Sequence, residues 1–161
     1  MVYKSEGRNV MEKITEFREE NRFLSNFYQS PVTYEGLTYP NAEAAFQAQK
    51  CCRDEDKVKY TTIKNPVVAK RMGKKEPSLP EDWDERSVDI MRGILRAKFS
   101  DPVLAEKLIA TGNAYIEEGN RWHDNKWGHC VCAKCQAKEG QNLLGKMLMD
   151  IRKDLSQSSK E

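Results

Sequence analysis

Apolar side chains recur at helical spacing through most of the chain after residue 41. The clearest case is the stripe of Trp83, Ile90, Ile94 and Ala97, which predicts a helix over residues 81–99 with one face turned to a core. Capping residues and prolines mark where the other helices begin and end. Further helices are predicted over residues 42–52, 55–63, 67–72, 102–111 and 142–155.

Strand-like sequence is confined to two short stretches. Residues 31–39 carry β-branched and aromatic side chains on both sides of Glu35 and Gly36, a pattern typical of a β-hairpin. Residues 14–17 predict one short strand. The expected fold class is therefore mainly α, that is, α+β with minor β.

The same pattern predicts a single compact helical domain over residues 13–155, with the strand and hairpin region at its N-terminal end. Residues 1–12 are polar and aperiodic, so we expect them to form a loose arm. Residues 156–161 are Ser-rich and charged, so we expect a frayed tail.

Composition narrows the functional classes. The 161 residues include 27 basic and 25 acidic side chains, and a net charge of +2 is too small for a protein that coats DNA. No apolar run approaches the roughly 18 residues of a membrane span, and residues 1–11 lack the apolar stretch of a secretory signal. Five cysteines in such a chain predict a cytoplasmic protein with reduced thiols and no membrane partner.

One predicted helix has an unusual polar face. Glu43, Phe46, Gln47 and Lys50 follow the spacing i, i+3, i+4, i+7 and so share one side of the helix over residues 42–52. Glu43 lies in the first turn, where the helix dipole favours an ionised carboxylate. The face is either a solvated polar stripe, the better interpretation of the stripe in isolation, or part of a ligand site.

Residues 117–141 show no clear period but contain two tryptophans, both histidines and three cysteines. Long loops of this kind in compact domains are usually functional. Trp127 and Trp122 have faces that could stack on a planar base, and Asp124 could supply a carboxylate beside Glu43. Tryptophans in loops also commonly seal the edge of a core, so both interpretations stand.

Two other polar segments are candidates for contacts with a ligand. Ser25 and Asn26 interrupt an aromatic and apolar stretch, where they either cap a turn or bind something. Asn142 precedes the last predicted helix, whose N-terminal amides could bind a phosphate.

The cysteines allow a metal interpretation as well. Cys130, Cys132 and Cys135 lie within six residues, and a zinc ion would need a fourth ligand from His123, Cys51 or Cys52. His129 is adjacent to Cys130, and neighbouring residues do not easily bind one ion together. We therefore interpret the cysteines as ordinary reduced thiols and assign no metal ligand, with structural zinc as the alternative.

Several segments in this order resemble the NADAR domain family, which includes the YbiA-like N-glycosidases. Together they cover about residues 14–155, and their ordered combination is far more specific than any one of them. The matching segments are residues 23–28, 34–40, 42–50, 69–73, Trp83 with 91–99, 124–128, and 142–146 with 148–152.

The resemblance implies a mainly helical fold and hydrolysis of a ribose-to-nitrogen bond, without a cofactor or metal. The implied partner is a phosphorylated ribose or ADP-ribose substrate, such as ADP-ribosylated guanine, free or within a nucleic acid, or a phosphorylated riboflavin-biosynthesis intermediate. Catalytic roles then fall to Glu43, Lys50 and Asp124. Substrate binding is expected of Phe23, Ser25, Asn26, Gln47, Trp83, Trp127 and Asn142.

The chain departs from the family pattern at two places, Ala44 where a histidine is common and the Cys-rich segment after Gly128. The first departure makes a module that binds ADP-ribose without hydrolysing it the main alternative to an enzyme. A zinc-knuckle module for nucleic acid is a third. Lys50 has two possible roles, a charge that pairs with phosphate or a desolvated amine that forms an imine with the ribose.

Overall fold

A computed structural model describes residues 12–135 and 137–158. The predicted arm, except residue 12, and residues 159–161 of the predicted tail lie outside the described residues. The α-helices are α1 Ala42–Ala48, α2 Asp54–Lys57, α3 Pro66–Lys74, α4 Trp83–Lys98, α5 Pro102–Ala110 and α6 Leu143–Ser158, with 3-10 helices at Glu19–Leu24 and Val58–Thr62. The strands are β1 Lys13–Ile14, β2 Gln29–Tyr34, β3 Leu37–Asn41, β4 Tyr115–Ile116, β5 Gly119–Asn120 and β6 His129–Cys130.

These elements confirm the prediction of a mainly helical protein with minor β-structure. The strands form three pairs, β1 with β4, β2 with β3, and β5 with β6. Within the described residues, no helix is both long enough and apolar enough to cross a membrane.

The contacts within the chain divide it into two compact units. We call residues 22–105 the hairpin unit, after its β-hairpin. We call the described parts of residues 1–21 and 106–161 the terminal unit, because it contains both chain ends. The boundary between the units falls within α5.

The hairpin unit is built around β2 and β3, which pair in antiparallel register with an irregularity between Gln29 and Val32. Glu35 and Gly36 both have positive φ, at 47° and 87°, as a two-residue type I′ turn requires. The predicted hairpin is therefore confirmed. Val32 and Tyr39 are buried, because alternate residues of each strand face the core.

The helices of the hairpin unit differ from their predicted bounds, and the helix predicted over residues 55–63 is α2 followed by the 3-10 helix Val58–Thr62. α1 ends at Ala48, and the next turn continues with i to i+3 hydrogen bonds, as from Lys50 N to Gln47 O at 3.1 Å. α3 continues through Gly73 to Lys74, two residues past its predicted end at residue 72. Glycine there serves close packing against α1.

The terminal unit is held together by contacts that are distant in sequence. β1 is shorter than predicted and pairs in parallel with β4, so that Ile14 lies opposite Ile116. α6 packs on β4 with Leu144, Met147, Leu148 and Ile151 buried. α6 extends to Ser158, three residues past its predicted end, so residues 156–158 are helical.

Candidate active site

Glu43 is a buried carboxylate in the first turn of α1, with 7% of its surface exposed. Asn41 caps the helix, because its side-chain oxygen accepts a hydrogen bond from Ala44 N at 2.8 Å. The backbone N–H of Glu43 donates to the carbonyl of Asn26 at 3.0 Å. Every residue of α1 is buried, so the interpretation of its polar face as a solvated stripe is wrong.

Gln47 lies one turn further along α1 and contacts Glu43 directly. Its side-chain nitrogen donates to Glu43 Oε1 at 2.8 Å. Its oxygen Oε1 is buried and has no hydrogen-bond partner among the described residues, although only 4% of the residue is exposed. A buried acceptor without a donor is costly, and such groups commonly mark a place where a ligand or water completes the bonding.

Gly73 allows α3 to approach Gln47. A Cβ atom added at Gly73 would lie 1.8 Å from Gln47 Oε1. Any residue other than glycine at position 73 would therefore displace the Gln47 amide. Gly73 was not among the predicted site residues, and its position before a lysine pair reads as a helix end in the sequence alone.

Lys50 follows α1 and is half-buried. Burial lowers the pKa of its amine, Glu43 opposes that shift, and the positive charges of Lys74 and Lys70 reinforce it. The amine therefore lies in the field of Glu43, as predicted, but also beside two cations of α3. Lys70 and Lys74 are spaced i, i+4, so they share one face of α3.

A second ionic group stabilises this part of the hairpin unit. Glu76 accepts hydrogen bonds from Lys59 at 2.8 Å and from the Tyr60 hydroxyl at 2.7 Å. Burial alone would raise the pKa of Glu76, but hydrogen bonds from Lys59, Tyr60 and Cys51 outweigh it and hold that pKa below its ordinary value. Burial beside this carboxylate raises the pKa of Cys51 to about 11, so its thiol stays protonated at neutral pH.

Ser25 and Asn26 were each expected either to cap a turn or to bind a ligand, and the structure gives them different roles. The Ser25 hydroxyl caps a turn, because it accepts a hydrogen bond from Phe27 N at 3.0 Å. The Asn26 amide donates to the Met91 sulfur at 3.4 Å. Its oxygen Oδ1 is buried without a hydrogen-bond partner in the described part of the chain. Asn26, like Gln47, therefore offers an acceptor to a ligand.

Lys98 is a buried amine at the end of α4 and was not among the predicted site residues. Only 1% of it is exposed, and its amine donates to the Ser25 carbonyl at 2.8 Å and lies 5.8 Å from the centre of the Tyr28 ring. Burial lowers its pKa to about 7. Lys98 thus holds the segment that carries Ser25 and Asn26.

The two predicted aromatic contacts of the hairpin unit have different outcomes. Phe23 is 3% exposed and packs edge-on against Phe99 with ring centres 6.4 Å apart, so it belongs to the core. The expectation that Phe23 stacks on a base stays a prediction. Trp83 is half-buried and its ring lies 5.5 Å from that of Phe46, which leaves part of its surface open to a ligand.

The predicted residues of the terminal unit are largely engaged in local structure. Asp124 Oδ1 accepts hydrogen bonds from Lys126 N at 3.0 Å and Trp127 N at 2.9 Å, as in a turn cap. Trp127 is half-buried, and the amine of Lys126 lies 5.0 Å from the centre of its ring.

Asn142 is buried and its side chain is fully hydrogen-bonded. It accepts from Glu118 N at 3.0 Å and donates to Ile116 O at 2.9 Å and to the Tyr115 hydroxyl at 3.4 Å. The amides of residues 141–144 donate to carbonyls of residues 125–128. The structure therefore gives no support to the expectation that Asn142 and these amides bind a phosphate, because the loop already satisfies them.

Two groups of residues of the terminal unit have metal-binding or acid–base chemistry. His123, Cys130, Cys132 and Cys135 bring one ligand atom each within 4.8 Å of one another. His129 instead pairs with Glu117, which also lies 3.5 Å from the amine of Lys13. This pair lines a cavity of about 820 Å³ that is open to solvent.

The comparisons with known proteins agree with the fold. The model of the NADAR domain matches residues 13–156. N-glycosidase YbiA of Escherichia coli is 34% identical over 135 residues, which are 83% of this chain and 81% of the relative. N-glycosidase R617 of Acanthamoeba polyphaga mimivirus is 33% identical and covers 84% of this chain and 85% of its own.

Two further comparisons extend this relation. Riboflavin biosynthesis protein VVA0006 of Vibrio vulnificus is 32% identical over 92% of this chain, which matches 40% of that longer protein. The NMR structure of the Escherichia coli protein YbiA superposes with a TM-score of 0.76, at 29% identity, over 96% of this chain and 94% of the other.

These matches define an enzyme of the glycosidase class that acts on N-glycosidic bonds. The chain belongs to the NADAR domain family.

Proposed function

We propose that the chain hydrolyses the C1′–N bond of a phosphorylated ribose conjugate, with Glu43 and Lys50 as catalytic residues. The observation that carries the proposal is the buried Glu43 carboxylate, held by Gln47 at 2.8 Å, in the field of a half-buried Lys50. Cleavage of such a bond develops positive charge at C1′. A buried carboxylate stabilises that charge far better than one in water.

The two buried acceptors favour a sugar as the ligand. Asn26 Oδ1 and Gln47 Oε1 both require donors. Ribose hydroxyls are donors on neighbouring carbons and fit this requirement. We propose that these two amides bind ribose, that Trp83 contacts the base or sugar, and that Ser25 acts through the turn that presents Asn26.

The lysines favour a substrate with phosphate groups. Burial lowers the pKa of the Lys50 amine, and the charges of Lys74 and Lys70 lower it further, so these three cations repel one another. A dianionic phosphate would relieve that repulsion. We therefore propose that Lys70 and Lys74 bind phosphate and that Lys50 stabilises the charge of the reacting conjugate.

The lowered pKa of Lys50 favours a second role for this residue, as a neutral amine that forms an imine with the ribose. The substrate's ribose ring opens as the C1′–O4′ bond breaks, O4′ takes a proton from water, and the glycosidic nitrogen forms an iminium at C1′. The neutral Lys50 amine then attacks that carbon. The base nitrogen then leaves with a proton supplied through Glu43, and a Lys50 imine remains. Water adds to the imine, which releases the sugar aldehyde and returns the free amine.

Lys50→Arg separates these two roles, because a guanidinium keeps the charge but forms no imine. Trapping with borohydride during turnover provides the matched observation. An adduct at Lys50 together with an inactive Lys50→Arg variant supports the covalent route. An active variant without an adduct supports the electrostatic role.

Asp124 and Trp127 remain proposals that rest on the family resemblance alone. Asp124 would act as a second carboxylate and Trp127 as a stacking surface. Five cysteines, free where the structure describes them, fit the expected cytoplasmic location, where thiols stay reduced.

The test is one assay of the full chain with two substrates. It compares release of free base from a phosphorylated riboflavin-biosynthesis intermediate with release of ADP-ribose from ADP-ribosylated guanine. Turnover of either substrate that is lost in Glu43→Gln supports the proposal. Tight binding of ADP-ribose with no turnover of either substrate would instead support the non-catalytic binding module.

A further inference from the structure

We propose that His123, Cys130, Cys132 and Cys135 bind one zinc ion in a structural site of the terminal unit. Their ligand atoms all lie within 4.8 Å of one another. Three thiolates and one imidazole form a donor set typical of structural zinc. This proposal replaces the interpretation of the three cysteines as ordinary reduced thiols.

The distances from the imidazole carry the argument. His123 Nδ1 lies 3.3 Å from Cys135 Sγ, 3.4 Å from Cys132 Sγ and 3.9 Å from Cys130 Sγ. A tetrahedral zinc ion with bonds of about 2.0 Å to nitrogen and about 2.3 Å to sulfur gives nitrogen–sulfur separations of about 3.5 Å. The three distances bracket this value.

Hydrogen bonding alone does not explain the arrangement. A ring nitrogen of histidine carries either one proton or one lone pair, so it makes one ordinary hydrogen bond. Three sulfurs converge on Nδ1 of His123, and two of them come from buried residues. An ion shared by all four atoms accounts for this convergence.

Hydrogen bonds from neighbouring residues surround the sulfurs. His123 N donates to Cys130 Sγ at 3.3 Å, and the amides of Lys134 and Cys135 donate to Cys132 Sγ. Asn125 binds both sides of the cluster, since its oxygen accepts from Cys130 N at 2.9 Å and its side chain donates to Cys135 Sγ. Hydrogen bonds to the ligand atoms are the usual outer support of a metal site.

The backbone also explains which histidine takes part. His123 has φ of 67°, an uncommon conformation that directs its ring to the cysteines. His129 precedes Cys130 on β6, and successive side chains of a strand face opposite sides. His129 accordingly pairs with Glu117 and leaves Cys130 to the cluster.

The ion would join two parts of the long loop. His123 lies in the segment between β5 and β6, and the cysteines lie in β6 and the turn after it. Binding converts three thiols into thiolates and releases three protons, while the imidazole binds in its neutral form. The closed set of four protein ligands fits a structural ion, with no position left for water or substrate.

The first experiment measures metal in the full chain, purified with a reductant and without added zinc. We expect about one zinc ion per chain, retained through dialysis. After removal of the metal with a chelator under acid conditions, cobalt(II) added to the refolded chain should give the absorption of a tetrahedral thiolate complex. Chelator treatment should also lower the melting temperature, and zinc should restore it.

Variants then locate the site. Cys132→Ser and Cys135→Ser should each lose at least about ninety per cent of the bound zinc, because a three-ligand site binds much more weakly. Cys52→Ser and His129→Gln are the matched controls, and both should retain zinc. If the first two variants do not fold, the cobalt spectrum of the unmodified chain decides the question.

Several results would overturn the proposal. One is a zinc content below about a tenth of an ion per chain together with a featureless cobalt spectrum. Another is stoichiometric iron in place of zinc. A disulfide between two of the three cysteines in the purified chain, seen as a mass lower by two hydrogens, would also contradict it. So would unchanged zinc in both cysteine variants.

Discussion

The buried and half-buried polar side chains of the two units differ in whether the protein itself satisfies their hydrogen bonds. In the terminal unit, Asn142 makes three hydrogen bonds and Asp124 caps a turn through two backbone amides. In the hairpin unit, Asn26 and Gln47 each bury an acceptor that no described residue satisfies. Similar polar residues therefore stabilise the fold in the terminal unit, whereas in the hairpin unit they leave acceptors free to bind a ligand.

This contrast shows how a polar residue in a sequence motif can be assigned a role. A buried group whose hydrogen bonds are complete contributes to the fold, while one left incomplete costs free energy unless a ligand completes it. Lys98 adds to the same picture, because a buried amine with a lowered pKa is retained at a cost to stability. These energetically costly buried groups belong to the hairpin unit, which also contains Glu43. This is why we propose that the catalytic site lies in that unit.

The largest expected effect on turnover is that of replacing Glu43, the buried carboxylate of the hairpin unit. Glu43→Gln should lower turnover by at least about a hundredfold, because the variant loses the charge that stabilises the transition state. The amide is nearly isosteric and should preserve the fold, which circular dichroism and the melting temperature check. Turnover within a few-fold of the unmodified chain would remove Glu43 from the mechanism.

The next effect concerns the buried Lys98. Its pKa is about 7 in the folded chain against 10.5 ordinarily, so between these values the unfolded chain binds a proton that the folded chain does not. Stability should therefore rise with pH, by about 2 kcal/mol between pH 7 and pH 9 from this one group.

The measurement compares urea unfolding of the unmodified chain and Lys98→Met at both pH values. The difference in unfolding free energy between the two chains isolates Lys98, because all other titrating groups are shared. A difference that stays constant with pH would show that Lys98 is not desolvated in solution.

A smaller effect should follow from closing the space beside Gln47. Gly73→Ala places a methyl group 1.8 Å from the present position of Gln47 Oε1, so the amide must move. We expect a loss of turnover of about tenfold and a destabilisation of about 1–3 kcal/mol. Gly93→Ala is the matched control, because its methyl group would lie 3.1 Å from the edge of the Tyr34 ring and needs only a small adjustment. Equal activity of the two variants would show that the Gln47 amide plays no part in the reaction.

The smallest effect is expected at Asp124. Asp124→Asn keeps the oxygen that accepts from the amides of Lys126 and Trp127, so the turn should persist. We expect turnover to fall only about threefold, because this carboxylate is half exposed and one of its oxygens already caps the turn. A loss as large as that of Glu43→Gln would break the contrast between the units and make Asp124 an equal partner in catalysis.

Local sequence was sufficient wherever a structural choice depends on neighbouring residues. The helical stripe through Ile94 predicted α4, Asn41 predicted the start of α1, and Glu35 with Gly36 predicted the hairpin turn. The i, i+4 spacing of Glu43 and Gln47 likewise predicted their contact, because helix geometry brings such residues together without further help.

Tertiary structure alone decided the features that depend on residues far apart in the chain. The sequence did not indicate that Phe23 would pack on Phe99, or that the amides at the start of α6 would be satisfied by the preceding loop. It named His123 only as one of three possible fourth ligands, and it is the folded loop that brings His123 next to the three cysteines. The physical reason is that burial and hydrogen-bond completion belong to the packed chain, whereas periodicity and capping belong to a few consecutive residues.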